Sequence, residues 1–455
     1  MKKKLAIGGS ILNILYPVLN KNILLFLSPD GGIIGKLGGA AVSLNKTASE
    51  ILELCNGSNT KEQIAQSMAL RYHEDYERVL KLTENFLTDA INKEHVHLCS
   101  DQNPSLGFIG GNKEYHSPIE AIVELTSMCN LKCIHCYANA GSTPENTQLD
   151  TEKLFNIFLK VKELGAYKVT LTGGDPLAHS DFFRILELCC KIFLSVDIAT
   201  NGYNVTEEKA RKIRNLQGAV VKCNISVDGN EKTHDYIRGV KGSWNRAIGS
   251  IRYLRKYSIS VRVGMTLNPY NLTEIEDVIQ IVKENGAHSF ELGMTVDAGR
   301  AVGKNLHLTK EQKDQTEILI TQLAAKYGTD FFLIKTSIGD SSPESLGKTH
   351  CGALNRSFFI DHQGNIKPCG IFNHSLGNFD EIDLFNLYRS SIINLFCGLK
   401  HPSKDLCGDC MNYYLCNGCL AVAEVKSKQV KDCAWLPYWN DFIKYTTTLS
   451  KLIRV

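Results

Sequence analysis

No stretch of this chain approaches the ~20 uninterrupted apolar residues that a membrane-spanning helix needs, so no membrane span is expected. Nor is either charge sign in excess: 51 Lys and Arg stand against 48 Asp and Glu, a net charge of +3, which gives no reason to expect a nucleic-acid partner. A secretory signal is missing too. Met1-Lys2-Lys3-Lys4 and the apolar residues after it imitate one, but Gly8, Gly9, Ser10 and Asn13 interrupt the run and no convincing small-x-small cleavage site follows. What the chain has in quantity is cysteine, 16 in 455 residues. These cluster at metal-ligand spacings instead of spreading as a disulfide framework, which points to a reducing interior and a cytoplasmic location.

Cys129, Cys133 and Cys136 follow directly on an apolar run at 119–125, with C-x3-C-x2-C spacing. Three such thiolates can hold an iron–sulfur cubane. With no fourth cysteine beside them, one iron keeps an open position that suits a small chelating ligand able to receive an electron. A zinc knuckle is the other chemistry of short Cys-x2-Cys spacings, but it needs a fourth ligand, and His135 between two of the cysteines is awkwardly placed to be one.

Along the chain, β-rich runs at 11–16, 23–27 and 32–35 between Pro, Gly and Asn turn signals predict a small antiparallel sheet. Apolar periodicity predicts helices at 44–55, 61–72 and 75–92. Residues 101–117, rich in Gly, read as a linker. Beyond it, strands at 119–125, 168–172, 195–200, 220–227, 259–267 and 289–296 alternate with helices at 151–164, 182–192, 207–215, 244–257 and 274–285. That alternation predicts an α/β fold with a parallel sheet and helical crossovers.

The cysteine trio and the six-strand alternation resemble the radical S-adenosylmethionine (SAM) family, in which the amino and carboxylate groups of SAM occupy the open iron. The resemblance implies a partial (β/α)6 barrel over 118–320 with its ligands at the strand C-terminal ends. It implies that Cys129, Cys133 and Cys136 hold the catalytic cluster and that Gly173, Gly174, Asp175 and Pro176, after the strand 168–172, meet the SAM amino group. Asp175 stands where many relatives carry Glu. His135 falls near the adenine, and Tyr137, Asn201, Ser226, Asp228 and Arg238 join the cofactor-binding set. Taken singly, Gly-Gly-Asp-Pro is also a common turn, Ser226 and Asp228 are also turn and cap residues, and Arg238 could pair with a carboxylate or only brace its loop.

Ahead of this core, residues 1–100, with the phrase Leu44-Asn45-Lys46-Thr47-Ala48 and Leu54-Cys55-Asn56-Gly57, look like the winged-helix-like RiPP precursor recognition element. The resemblance implies that a precursor-peptide leader adds a strand to the sheet edge near 23–34, beside the helix carrying Val79 and Leu82. A generic winged helix without a ligand is the plainer reading.

Toward the C-terminus Cys351, Cys369, Cys407-x2-Cys410-x5-Cys416-x2-Cys419 and Cys433 follow the seven-cysteine pattern of the SPASM domain, set at 346–440 after a bridging segment at 321–345 and before a helix or tail at 441–455. The pattern departs from the usual in having two residues, not three, between the last pair of the quartet. By the family's assignment Cys407, Cys410, Cys416 and Cys433 ligate an outer auxiliary cluster, and Cys351, Cys369 and Cys419 an inner one. Two cubanes need eight thiolates and seven are assigned. The inner cluster then either keeps an open iron for a substrate cysteine, or is closed by Cys397 or Ser357, or is a smaller two-iron form. Cys55, Cys99, Cys189, Cys190 and Cys223 are expected to be buried apolar fillers.

The whole resembles the sactipeptide and ranthipeptide thioether synthases. It implies a radical SAM enzyme with SAM and three iron–sulfur clusters, a ribosomally made precursor peptide with leader as substrate, and a flavodoxin or ferredoxin as electron donor. A 5′-deoxyadenosyl radical would take hydrogen from a peptide carbon, to which a peptide cysteine then bonds. Rivals are another radical SAM–SPASM reaction (carbon–carbon cross-linking, epimerisation, sulfatase maturation) and, outside enzymes, a zinc-dependent peptide-binding module.

Overall fold

The computed structural model describes residues 15–37, 39, 41–100, 107–141, 147–329, 332–336, 352–416 and 419–449. They divide into two compact units between Ser117 and Pro118.

In the first unit β1 (Tyr16–Leu19), β2 (Ile23–Ser28), β3 (Gly31–Lys36) and β4 (Ala41–Asn45) precede α1 (Lys46–Leu54), α2 (Lys61–Tyr72) and α3 (Tyr76–Asn92), followed by β5 (Val96–Cys99) and β6 (Phe108–Gly111). Each helix begins where a side-chain oxygen meets its first unpaired amides. Asn45 accepts from the Ala48 N–H at 2.8 Å, Thr60 and Gln63 form a capping box, and Asp75 accepts from the Arg78 N–H at 2.9 Å. Such a cap is worth about 1 kcal/mol. The apolar faces meet in one core of Leu19, Ile23, Leu25, Ile51, Ile64, Met68 and Leu87. Cys55 is fully buried within it, as expected of a filler, whereas Cys99 on β5 is only partly buried.

In this unit the structure departs from the sequence reading in four respects. The sheet is mixed, with order β4-β3-β2-β6, because β6 runs parallel to β2. Residues 108–111 are therefore a strand and not linker; Phe108-Ile109 is too short an apolar run to show strand periodicity before two glycines. β2 and β3 are interior strands, so the expected edge at 23–34 is covered on both sides, and the outer strands among the described residues are β4 and β6. The run at 11–16 lies outside the described residues up to 14, and β1 pairs with β5 instead of joining the larger sheet.

The second unit opens with β7 (Glu120–Glu124), α4 (Thr151–Glu163), β8 (Lys168–Thr172), α5 (Phe182–Ile192), β9 (Ser195–Thr200) and α6 (Glu207–Asn215). It continues with β10 (Val220–Ser226), α7 (Glu231–Arg238), α8 (Ser243–Lys256), β11 (Ser260–Leu267), α9 (Ile275–Glu284) and β12 (Ser289–Met294). After α10 (Lys310–Tyr327) come β13 (Leu333–Thr336), β14 (Ser357–Ile360), β15 (Asn365–Lys367) and β16 (Gly377–Asn378). All ten strands form one sheet, β13-β12-β11-β10-β9-β8-β7-β14-β15-β16, parallel from β13 to β14 and antiparallel thereafter.

Alternation along the strands separates two faces. Val169, Leu171, Ile198, Ile225, Val263 and Leu292 are fully buried, as are Leu154, Phe158, Leu186 and Ile279 of the helices. Each such side chain contributes roughly 1.5–3 kcal/mol on burial. The opposite face is polar: Lys168 pairs with Glu120 at 3.2 Å and with Asp197 at 2.8 Å, and Arg262 with Glu291 at 3.2 Å.

The six expected strands and their helices are present, with differences at the joins. α7 stands where only a loop was read, its eight residues being largely polar. α10 crosses the expected boundary at 320, and β13 and β14 extend the sheet beyond six strands. The C-terminal part carries α11 (Leu384–Arg389), α12 (Ser391–Cys397), α13 (Lys404–Cys407), α14 (Tyr413–Cys416), α15 (Leu420–Ser427) and α16 (Leu436–Leu449), so the terminal helix begins before 441.

Candidate active site

A cavity of about 280 Å³ opens at the C-terminal ends of the parallel strands, lined by Cys129, Cys133 and Cys136 from the β7–α4 loop and by Gly173, Gly174, Asn201 and Ser226 from successive strand ends. His135, Tyr137 and Arg238 also line it. Of the residues singled out from sequence, Asp175, Pro176 and Asp228 are not among its lining and stand behind it.

The cysteine loop is held from three sides. Lys132 and Ile134 donate their amides to the Arg238 and Ile237 carbonyls at the end of α7, at 3.0 and 2.9 Å. The turn after β8 supplies a second hold, through Gly174 N–H to the Thr126 carbonyl at 2.7 Å and Asp175 N–H to the Met128 carbonyl at 2.8 Å. Here the glycines are required by the loop's own backbone: a Cβ on Gly174 would lie 2.2 Å from the Met128 carbonyl oxygen, and one on Gly173 2.4 Å from that of Thr126. The third hold is the turn after β12. Arg300 N–H donates to the Cys136 carbonyl at 2.9 Å, and its guanidinium to the Cys133 and Ala140 carbonyls at 2.8 and 2.6 Å. Gly299, at φ +56°, lies so close beneath Cys136 and Tyr137 that a Cβ would fall 2.3 Å from the Cys136 carbonyl oxygen.

Behind the loop lies a buried charged layer. Asp175 is inaccessible and accepts from Thr200 Oγ1 at 2.6 Å and from the amides of Asn201 and Leu177, both at 3.0 Å. It thereby joins the ends of β8 and β9, and burial raises its pKa above the usual carboxylate range. Asp228, equally inaccessible, lies 2.7 Å from Arg238 Nε and 3.4 Å from His135 Nε2. The Arg238 contact is an ion pair whose N–H···O angle falls short of a hydrogen bond. Arg238 and His135 help hold the Asp228 carboxylate ionised, below its ordinary pKa, against the opposing effect of burial. Burial brings both His135 and His234 down to about 4, so both imidazoles are neutral near pH 7.

Arg300, Asn224, Thr295 and Ile371 also line the cavity and were missed from sequence. The Ala-Gly-Arg phrase after the sixth strand was the available signal for Arg300. Ile371 comes from the C-terminal third, two residues after Cys369, and local pattern offers nothing to find it by.

In that third, Cys416 feels the neighbouring thiols of Cys407, Cys410 and Cys433, and burial together with those thiols pushes it up to about 12. Cys416 thus lies near the other three cysteines read as ligands of the outer cluster. Cys369 acts on the Tyr137 hydroxyl, which also feels Cys136. Cys351 lies outside the described residues. Cys419 immediately precedes α15, and Cys397 ends α12 near the buried Tyr388 hydroxyl. Lys426 of α15, almost fully buried, pairs with Asp297 at 2.8 Å and so ties this region to the turn after β12.

The residues present fit a cubane and a polar chelating ligand. Three thiols share one cavity whose lining residues Asn224 and His135 each turn a buried polar atom, Oδ1 and Nδ1, to no protein partner. Burial raises the Cys129 thiol to about 11, a cost that coordination to iron would offset, since metals bind the thiolate. A single zinc ion at about 2.3 Å from each sulfur would draw its ligands much closer together than a cubane does. Among the described residues no three His, Cys, Asp or Glu side chains converge in that way.

Comparison with known proteins agrees with this geometry. Residues 123–282 match the Radical SAM superfamily, and residues 25–96 match Coenzyme PQQ synthesis protein D (PqqD). The antilisterial bacteriocin subtilosin biosynthesis protein AlbA of Bacillus subtilis is 29% identical over 423 residues, covering 88% of this chain and 92% of that protein. The sporulation killing factor maturation protein SkfB of the same organism is 28% identical over 294 residues, 64% of this chain and 70% of its own length. In fold, the chain is similar to Streptococcus suis SuiB, solved bound to S-adenosylmethionine, with TM-score 0.65 at 15% identity over 92% of this chain and 97% of that one. No helix among the described residues is long and apolar enough to cross a membrane. The cysteine loop and the strand-end cavity lie in and around the region matched to the Radical SAM superfamily, and the region matched to PqqD precedes it in the chain.

Proposed function

We propose that this protein is a cytoplasmic maturase that forms thioether cross-links, from a cysteine sulfur to a carbon, in a ribosomally made precursor peptide. The observation that carries the reading is the meeting of Cys129, Cys133 and Cys136 with the strand ends in one cavity, in a chain that also has a PqqD-type unit. Loaded with its cluster and SAM, the site would supply a 5′-deoxyadenosyl radical able to take hydrogen from a peptide carbon. The chain's own part is to fix the cysteine loop through α7, Gly174 and Arg300, and to brace it with the buried Asp228–Arg238 ion pair. The likeness to AlbA, named for the biosynthesis of a bacteriocin, and to SkfB, named for the maturation of a killing factor, and the fold shared with SuiB, solved bound to the precursor peptide SuiA, favour a peptide substrate.

Two further features support the detail. β4 is an outer strand with mostly exposed residues, Val42 among them at 62%, and Leu82 on α3 is 57% exposed. A leader strand pairing with β4, not with 23–34, accords with this arrangement. The neighbouring thiols of Cys407, Cys410, Cys416 and Cys433 suit an outer auxiliary cluster, with Cys351, Cys369 and Cys419 left for an inner one. A ferredoxin or flavodoxin would deliver the electron.

The first test is the variant with Cys129, Cys133 and Cys136 all changed to Ala. It is expected to lose 5′-deoxyadenosine formation completely while keeping the auxiliary iron. Undiminished 5′-deoxyadenosine in that variant contradicts the assignment.

A further inference from the structure

Asn201 and Arg238 were read from sequence as contacts of SAM, yet each turns its donor toward a sulfur of the cysteine trio. Asn201 Nδ2 lies 3.7 Å from Cys129 Sγ and 3.1 Å from Asn130 Oδ1. Its orientation is set from the other end, where Asn201 Oδ1 accepts the Tyr203 N–H at 2.9 Å, so the amide nitrogen is the end that faces the thiol. The Leu131 N–H adds a second donor, 3.5 Å from the same sulfur. On the other side Arg238 Nη1 lies 3.7 Å from Cys133 Sγ. Arg238 cannot swing away freely: it is 8% exposed and paired with the inaccessible Asp228, whose Oδ1 is in turn fixed by the Thr266 N–H at 2.9 Å.

A cluster that gains an electron gains negative charge on its iron and sulfur atoms. N–H dipoles aimed at ligand sulfurs, and a buried guanidinium beside one of them, stabilise that charge, and such hydrogen bonds are among the levers that set cluster potentials. We propose that Asn201 and Arg238 are positioning residues that donate to the sulfurs of Cys129 and Cys133 and raise the reduction potential of the cluster those cysteines hold. The proposal rests on the radical SAM reading of the trio. The one-electron donor is a low-potential iron–sulfur or flavin protein in the cell, or titanium(III) citrate in the assay.

The experiment is an EPR-monitored redox titration of the anaerobically reconstituted full chain, following the signal that changes on SAM addition, for wild type, Asn201→Asp and the pair Arg238→Gln with Asp228→Asn. Asn201→Asp keeps the acceptor for Tyr203 and replaces the sulfur-facing donor by an oxygen. The paired change removes the guanidinium without stranding a buried carboxylate. In each, the ratio of reduced to oxidised cluster at a fixed potential is expected to fall by about tenfold, which is 59 mV for one electron. Binding of SAM to the oxidised protein should change far less, and titanium(III) citrate should restore cleavage more fully than a weaker reductant. Wild-type potential in an Asn201→Asp protein with full iron content overturns the proposal, as does a loss of SAM binding with unchanged potential. If the paired variant fails to take up iron, Asn201→Asp alone decides. Failure of the underlying reading would look different, as a wild-type protein with no SAM-responsive signal to titrate.

Discussion

Gly173 and Gly174 line the cavity and also serve the backbone of the cysteine loop. They are pressed against the Thr126 and Met128 carbonyls, so the loop itself demands glycine there. Gly174→Ala is expected to displace that loop at a cost of ~1–3 kcal/mol. Iron at the SAM cluster and 5′-deoxyadenosine formation should drop several-fold, while the far-ultraviolet circular dichroism stays native; full iron and activity would contradict the packing account. Cys129, Cys133, Cys136, Asn201 and Arg238, singled out by locally written side-chain chemistry, all line the cavity. Asp175 was legible as a carboxylate but not as a buried brace, because its partners Thr200 and Asn201 lie on the next strand. Arg300 was missed for the same reason: its acceptors, Cys133 and Ala140, are more than 150 residues away in the chain, at separations of 167 and 160.

At the scale of elements, the six parallel strands were readable because each carries a buried apolar set between turn signals. β6 and α7 were not, one being two apolar residues and two glycines, the other a short polar helix recognisable only from what it holds. The proposed leader pairing puts its test on the exposed strand β4. Val42→Pro is expected to weaken binding of a fluorescent leader peptide at least tenfold, about 1.4 kcal/mol, while peptide-free SAM cleavage persists; unchanged binding would move the leader elsewhere. A second join, between the end of β7 and the turn after β14, is sensitive to pH. His362 Nδ1 lies 3.0 Å from the buried Glu124, which raises the imidazole's pKa above its ordinary value. A raised histidine stabilises the fold fully below its unfolded pKa of about 6.5, and that contribution is lost as pH rises through the folded value. The wild-type Tm should therefore fall as pH rises above about 6.5 more steeply than that of His362→Gln. Parallel pH profiles would dismiss the pair as a contributor.

At the scale of the whole molecule, two compact units are joined at residues 117 and 118, one matched to PqqD and one containing the region matched to the Radical SAM superfamily. The C-terminal third does not stand apart. Its strand β14 pairs in parallel with β7, the strand that leads into the cysteine loop, and its Ile371 reaches the cavity. This arrangement brings Gly370, next to Cys369, against the Tyr137 ring beside the cysteine loop. The most direct test of the account is high-resolution mass spectrometry of a cysteine-containing candidate precursor peptide from a reading frame neighbouring this one, after anaerobic incubation with reconstituted enzyme, SAM and reductant. The account predicts that the peptide loses two hydrogens for each cross-link, that the modified cysteines no longer react with iodoacetamide, and that fragmentation joins each cysteine to a second residue. A product that has lost two hydrogens but whose cysteines all still alkylate would contradict thioether formation and favour a carbon–carbon cross-link.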